Sequence, residues 1–142
     1  MSRKNQTSEL KSRVMEVALG HFSEVGIERT NVSNILTDAG CSVGSLYHHF
    51  GNKEGIAEAL FIDGVNQFNF RLLEALLPRR TASTGIKAIV IFCCEWVTDQ
   101  PELAGFLLSR EVTLSDNAKL ELRKMDRDFG QSIYDWFVPH VK

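Results

Sequence analysis

Apolar residues recur at steps of three and four along nearly the whole chain, and nowhere in the strict alternation of a half-buried strand. Leu10, Val14, Val17, Ala18, Phe22 and Val25 form a first stripe that Gly26 ends. Thr7 or Ser8 is the expected cap of that helix, with Met1 to Gln6 as a polar lead. Val32, Ile35, Leu36 and Ala39 form a shorter stripe, opened by the side-chain oxygens of Thr30 and Asn31 and closed by Gly40. Cys41 then links to a third pattern, capped by Ser42, with Val43 and Leu46 at its inward positions.

A long pattern follows from Asn52 to Leu77, carrying Ile56, Ala59, Leu60, Val65, Phe68, Leu72, Leu73 and Leu76, with Gly55 and Gly64 as weak points. Pro78, Arg79 and Arg80 break it, and Thr81 to Thr84 reads as polar loop. Ser83 or Thr84 opens a helix whose apolar face is Ile86, Ile89, Val90, Cys93, Cys94 and Val97, with Phe92 and Trp96 beside it. Asp99-Gln100-Pro101 is a stop and restart, since proline suits the first turn of a helix. A short helix holds Leu103, Phe106 and Leu107. Ser115 or Asp116 caps the last, where Leu120, Met125, Phe129, Ile133, Trp136 and Phe137 recur before Pro139. The fold class predicted is all-α.

The second and third patterns, two short helices joined by a glycine-containing turn, make a helix-turn-helix. The first turn of the third helix carries the small residues Val43, Gly44 and Ser45, so its N-terminus can approach another molecule closely. Tyr47, His48 and His49 follow with donors suited to phosphate oxygens and base edges. Asn52 and Lys53 open the next helix with a positive charge and free amide N–H groups. That order suits a helix lying in a DNA groove.

The run Phe22-x-x-x-Gly26, then Thr30, Ile35, Ala39-Gly40, Ser42-x-Gly44-Ser45-Leu46-Tyr47-x-His49-Phe50 and Lys53-Glu54, resembles the DNA-binding domain of the TetR family. The resemblance implies a helix-turn-helix head over residues 1–52 and a helical ligand-binding and dimerisation domain over 53–142, incomplete at its C-terminus. It further implies a repressor that binds palindromic operator DNA as a homodimer and is released by a small hydrophobic effector, while the odd cysteine count and the polar N-terminus suggest a cytoplasmic protein. Under that reading Thr30, Asn31, Tyr47, His48 and Lys53 contact the DNA backbone, and Val43, Gly44 and Ser45 form the base-facing tip. A ligand pocket enclosed by the later helices draws on Phe68, Phe92, Trp96, Phe106 and Phe129, all of which also suit a plain core. Two positions depart from the family pattern: Val43 stands where lysine is frequent, and Cys41 where an aliphatic residue is usual. If the chain is a fragment, Trp136 and Phe137 are expected as a stranded apolar patch.

Composition tempers this picture. A chain of 142 residues with 44% hydrophobic content can bury one sizeable core or a small domain and part of another. The formal net charge is −2, and the segment through Gly55 carries six basic and six acidic side chains, so attraction to DNA rests on local placement. Three cysteines, two adjacent, make no disulfide framework, and no apolar stretch suggests a membrane partner. No nucleotide-loop, hydrolase or metalloprotease motif occurs, so neither an enzyme nor a bound cofactor is expected. His48 and His49 are neighbours on a helix, pointing about 100° apart, which argues against a shared metal ion. Two other readings stay open: a DNA-binding scaffold without an effector, and a helical interaction module that has lost DNA binding.

Overall fold

The computed structural model describes residues 3–141, and among them every regular element is helical. The α-helices are α1 (Arg3–Val25), α2 (Val32–Ala39), α3 (Val43–Phe50), α4 (Lys53–Leu76), α5 (Ala82–Asp99), α6 (Pro101–Leu108) and α7 (Asp116–Phe137), with a 3₁₀ turn at Val138–His140. The chain folds into two compact units. The first is Met1–Phe61 with Gly105–Thr113, and the second is Ile62–Ala104 with Leu114–Lys142. The reason lies in burial: Ile56, Ala57 and Leu60 at the start of α4 are core residues, and Phe106 stacks on Phe22 at 6.0 Å between ring centres.

In the first unit, Val14, Ala18 and Phe22 bury one face of α1, and Ile35, Ala39 and Leu46 answer from α2 and α3. Helix α1 begins earlier than its expected cap. Arg, Lys and Gln are good helix formers, and the Thr7 hydroxyl donates to the Arg3 carbonyl at 3.1 Å instead of capping; Met1 and Ser2 lie outside the described residues. Gly26, at φ 82°, ends α1 in the left-handed region. Gly55, expected as a weak point, is required where it stands. Its amide donates to the capping Asn52 side chain at 2.7 Å, and any β-carbon there would collide with the Phe50 carbonyl.

The second unit is built around aromatics. Phe68 of α4 packs on Phe92 and Trp96 of α5, with ring centres 5.4 and 4.9 Å apart. Helix α5 turns inward the stripe Gly85, Ala88, Phe92 and Trp96, leaving Ile86, Val90 and Val97 exposed, the reverse of the expected face. Phe and Trp each bury far more area than a branched aliphatic, so the two rings win the inside. The supposed polar loop before α5 is its cap: Thr81 and Thr84 exchange side-chain and backbone bonds in a capping box. Ser115 caps α7 by accepting from the Ala118 amide at 3.2 Å.

Trp136 is not stranded. It is 7% exposed, donates its indole N–H to the Arg79 carbonyl at 3.2 Å, meets Phe137 edge to face and stacks on His140. The space for it is Gly85, where an added β-carbon would overlap the indole. Of the three cysteines, Cys41 and Cys93 are half-buried and Cys94 is exposed; burial, then the neighbouring Cys94, raises the Cys93 thiol pKa. No helix among the described residues is long and apolar enough to cross a membrane.

Two glycine substitutions should therefore act in opposite directions. Gly85→Ala drives a methyl into the Trp136 ring and should cost about 1–3 kcal/mol. Gly130→Ala on α7, where a β-carbon meets open space, should add roughly 0.5–1 kcal/mol. Urea unfolding followed by tryptophan fluorescence checks both.

Candidate nucleic-acid interface

The interface is assembled from caps. The Asn31 side chain accepts from the Ser33 amide at 2.9 Å and so opens α2. At its other end Gly40 is left-handed, with φ 61°, while its amide bonds to Thr37 O and the Cys41 amide to Leu36 O, a Schellman ending. Ser42 then caps α3, its hydroxyl accepting from the Ser45 amide at 3.2 Å. Gly51, at φ 78°, closes α3 with its amide on Tyr47 O, and Asn52 starts α4. Each boundary of the helix-turn-helix is thus fixed by a side chain or a glycine that the turn requires.

With both ends pinned, α3 buries Leu46 completely and turns Val43, Gly44, Tyr47 and His48 outward. Val43 departs from its expected inward position: it is 57% exposed at the first residue of the helix, since a single buried leucine suffices to anchor two turns. Ser45 is half-buried. The bare backbone at Gly44 has no other atom within 4 Å of a would-be β-carbon, so the helix tip is open to close approach.

Two of the expected contact residues have other work. Thr30 is 5% exposed, and its hydroxyl donates to the Gly26 carbonyl at 2.7 Å, inside the turn. Lys53 directs its ammonium at the carbonyls of Glu28 and Thr30, at 2.9 and 3.2 Å, using two of its three donors on the protein. Both residues hold the turn between α1 and α2 in place. Arg13 does the same across the head, donating to Ala39 O at 2.7 Å, and His21 stands 2.7 Å from the Asp38 carboxylate.

The basic residues at the front of the chain, on which attraction to DNA was expected to rest, gather on one stretch of α1. Arg3, Lys4, Thr7, Ser8 and Lys11 surround an open depression of about 500 Å³ along α1. His48 and His49 meet edge to face, with ring centres 5.0 Å apart. The His49 pKa is lowered from its ordinary value by loss of hydration first, then by His48 and by Lys11. The Lys11 charge therefore reaches the tail of α3. The signal for this proximity was available only as basic spacing on one face of α1, without a way to orient that face.

The expected ligand-lining residues divide. Phe68, Phe92 and Trp96 come together in the second unit, Phe129 is half-buried on α7, and Phe106 belongs to the first unit against Phe22. An open cavity of about 630 Å³ in the first unit is lined by charges of both signs, among them Glu28, Arg29, Glu54 and Glu111. It is not the aromatic pocket foreseen. Among the described residues no three His, Cys, Asp or Glu side chains cluster to hold a metal ion.

Residues 14–60, which contain both short helices and their caps, match the family model "Bacterial regulatory proteins, tetR family". That segment is a TetR-type head. A fatty acid metabolism regulator of Bacillus subtilis is 26% identical over 121 residues, 85% of this chain and 57% of the relative. The transcriptional regulator UidR of Escherichia coli is 22% identical over 127 residues, 80% of this chain and 64% of the relative. Among solved structures, the fatty acid degradation regulator FadR of Bacillus halodurans superposes with a TM-score of 0.73 at 18% identity, covering 92% of this chain and 67% of that one. FadR of Bacillus subtilis, solved in complex with stearoyl-CoA, gives 0.64 at 25% identity over 88% of this chain and 65% of that one. The chain thus spans 57% and 64% of the length of the two named relatives. These relatives are regulators rather than enzymes.

The cap on α3 is open to a direct check. Ser42→Ala leaves the Ser45 amide without its acceptor and should lower stability by about 1 kcal/mol. Thermal melting reads that loss.

Proposed function

We propose that this protein is a TetR-type transcriptional repressor that binds palindromic operator DNA as a homodimer in the cytoplasm and is released by a small hydrophobic ligand. The observation that carries the reading is the outward face of α3: a short helix pinned by caps at both ends, with an apolar and glycine tip followed by exposed Tyr47 and His48. A tip of this width enters the major groove, and the flanking hydroxyl and imidazole reach the phosphates on either side. Asn31, at the start of α2, and the basic residues of α1 extend the same backbone contact. Ser45, half-buried behind the tip, is a base-facing donor in this reading.

Support for the ligand comes from the second unit. Phe68, Phe92 and Trp96 offer a concentrated aromatic surface, and a relative of the same fold, Bacillus subtilis FadR, was solved with stearoyl-CoA. A long acyl chain is the hydrophobic ligand class that fits both. Release requires that the ligand bind the DNA-incompetent arrangement more tightly than the competent one, by about 1–3 kcal/mol for an ordinary allosteric effect.

Selection from a random duplex pool tests the reading. The expected result is an enriched inverted repeat whose retention falls on raising salt and on adding stearoyl-CoA. A folded protein that enriches no sequence and shows no salt-dependent affinity leaves the helical interaction module as the better account. Enrichment unaffected by acyl-CoA favours a DNA-binding scaffold.

Proton linkage gives a second check. In the DNA-free protein the His49 pKa lies below 6.5, so the fold disfavours imidazolium, and this residue's contribution to stability is lost as pH falls below that value. A phosphate beside the ring has the opposite effect and raises its pKa. DNA binding therefore takes up a proton, and affinity should rise as pH falls toward and below 6.5. His49→Gln should flatten that dependence in a titration of the selected duplex between neutral and mildly acidic pH.

A further inference from the structure

We infer that Val43 is a specificity-determining residue that reads the 5-methyl group of thymine in the major groove. The inference rests on the DNA-binding reading above and assigns the chemistry of one base position within it.

The argument begins with what α3 displays at its first residue. Val43 is 57% exposed, while Leu46, three residues on, is wholly buried, so the valine is not needed by the core. Its neighbours cannot substitute for it as readers. The Ser42 hydroxyl is held by the Ser45 amide, the Cys41 thiol lies 3.4 Å from the Ser42 carbonyl, and Gly44 has no side chain. The leading atoms of the helix are therefore two methyl groups on a stiff stem. Valine in a helix is nearly confined to one χ1 rotamer, so docking those methyls orders almost nothing further.

An isopropyl group can neither donate nor accept a hydrogen bond. Set against the N4 amino group of cytosine or the N6 amino group of adenine, it strips water from a donor and leaves that donor unpaired. Against the thymine methyl, both partners are apolar and both are removed from water. Of the four base edges in the major groove, thymine alone offers such a surface. The tip thus excludes two bases by what it fails to bond and favours thymine by burial.

The methyl can be removed without changing base pairing, which gives the test. In the duplex selected from the random pool, each thymine is replaced singly by deoxyuridine, and binding of the full chain is measured. One position per half-site should lose affinity by about fourfold, the equivalent of the roughly 0.8 kcal/mol expected for one buried methyl-sized group. At that same position, 5-methylcytosine should bind better than cytosine. Val43→Ala should abolish both differences while leaving the salt dependence of binding and the melting temperature unchanged, since Val43 lies on the surface. Operator binding that is intact but indifferent to every thymine methyl overturns the inference and leaves the repressor reading standing. A methyl dependence that survives in Val43→Ala also overturns it, by assigning the contact to another residue. Failure to enrich any duplex overturns both.

Discussion

The turn from Gly26 to Asn31 holds the head together. It leaves α1 through a left-handed glycine, and the polar groups it exposes are taken up by the turn itself and by two other segments of chain. The Thr30 hydroxyl donates back to Gly26 O, Lys53 at the start of α4 donates to the carbonyls of Glu28 and Thr30, and the Ile27 amide reaches the Glu111 carboxylate at 3.3 Å. A buried or half-buried backbone group left without a partner costs about 1–3 kcal/mol, so each bond fixes a position as well as an energy. Through them the first turn of α4, the start of α2 and residues 105–113 are tied to the end of α1. Helix α3 is strung between two of those fixed points, which is why eight residues with one fully buried side chain can keep a defined orientation.

The same bonds decide which polar residues remain for a ligand. Asn31, Thr30, Ser42 and Lys53 all have the chemistry of phosphate contacts, yet Thr30 and Lys53 spend donors on carbonyls of the turn, while Asn31 and Ser42 use an oxygen as a helix cap and keep their donors. What α3 presents outward is a valine, a bare glycine, a phenol and an imidazole. A lysine whose aliphatic stem and charge are locked into a turn contributes to the local potential, but it shapes the surface more than it grips a ligand. The role of such a residue is positional, and its loss would disturb α2 and α4 together.

Much of this was legible in the sequence. Glycines at 26 and 40 and the caps Asn31, Ser42 and Asn52 mark the helix ends, because capping is a local matter of one side chain and one amide. What could not be read was the choice between two apolar faces. On α5, Ile86, Val90 and Val97 form as regular a stripe as Gly85, Ala88, Phe92 and Trp96, and only the partner settles which goes inside. That partner includes Trp136, fifty-one positions later on α7, whose indole occupies the space a side chain at Gly85 would need. The stack of Phe106 on Phe22 was hidden for a related reason: it joins residues distant in sequence, and periodicity carries no information about such pairs. Thr30 looked like a surface cap because threonine usually is one; its burial follows from a hydroxyl that has Gly26 O in reach.

The near-neutral charge bears on how a helix of this kind finds its target. With a net charge of −2, the protein has no long-range field to draw it to DNA. At physiological salt, charges more than about 8 Å apart are largely screened, so this is a smaller handicap than the sum suggests. What counts is the cation density within that distance of a phosphate. Arg3, Lys4 and Lys11 line one depression on α1, and the field of Lys11 is felt at His49 on α3. A modest cluster of this sort supports weak, sequence-independent attachment and a shallow salt slope, because few counterions are released. Under the proposed function, discrimination between sequences then falls mainly to the groove-facing tip of Val43 and Gly44. For a head built in this way, apolar readout at the tip is favoured over further cations: it adds preference for a base without adding affinity for every phosphate.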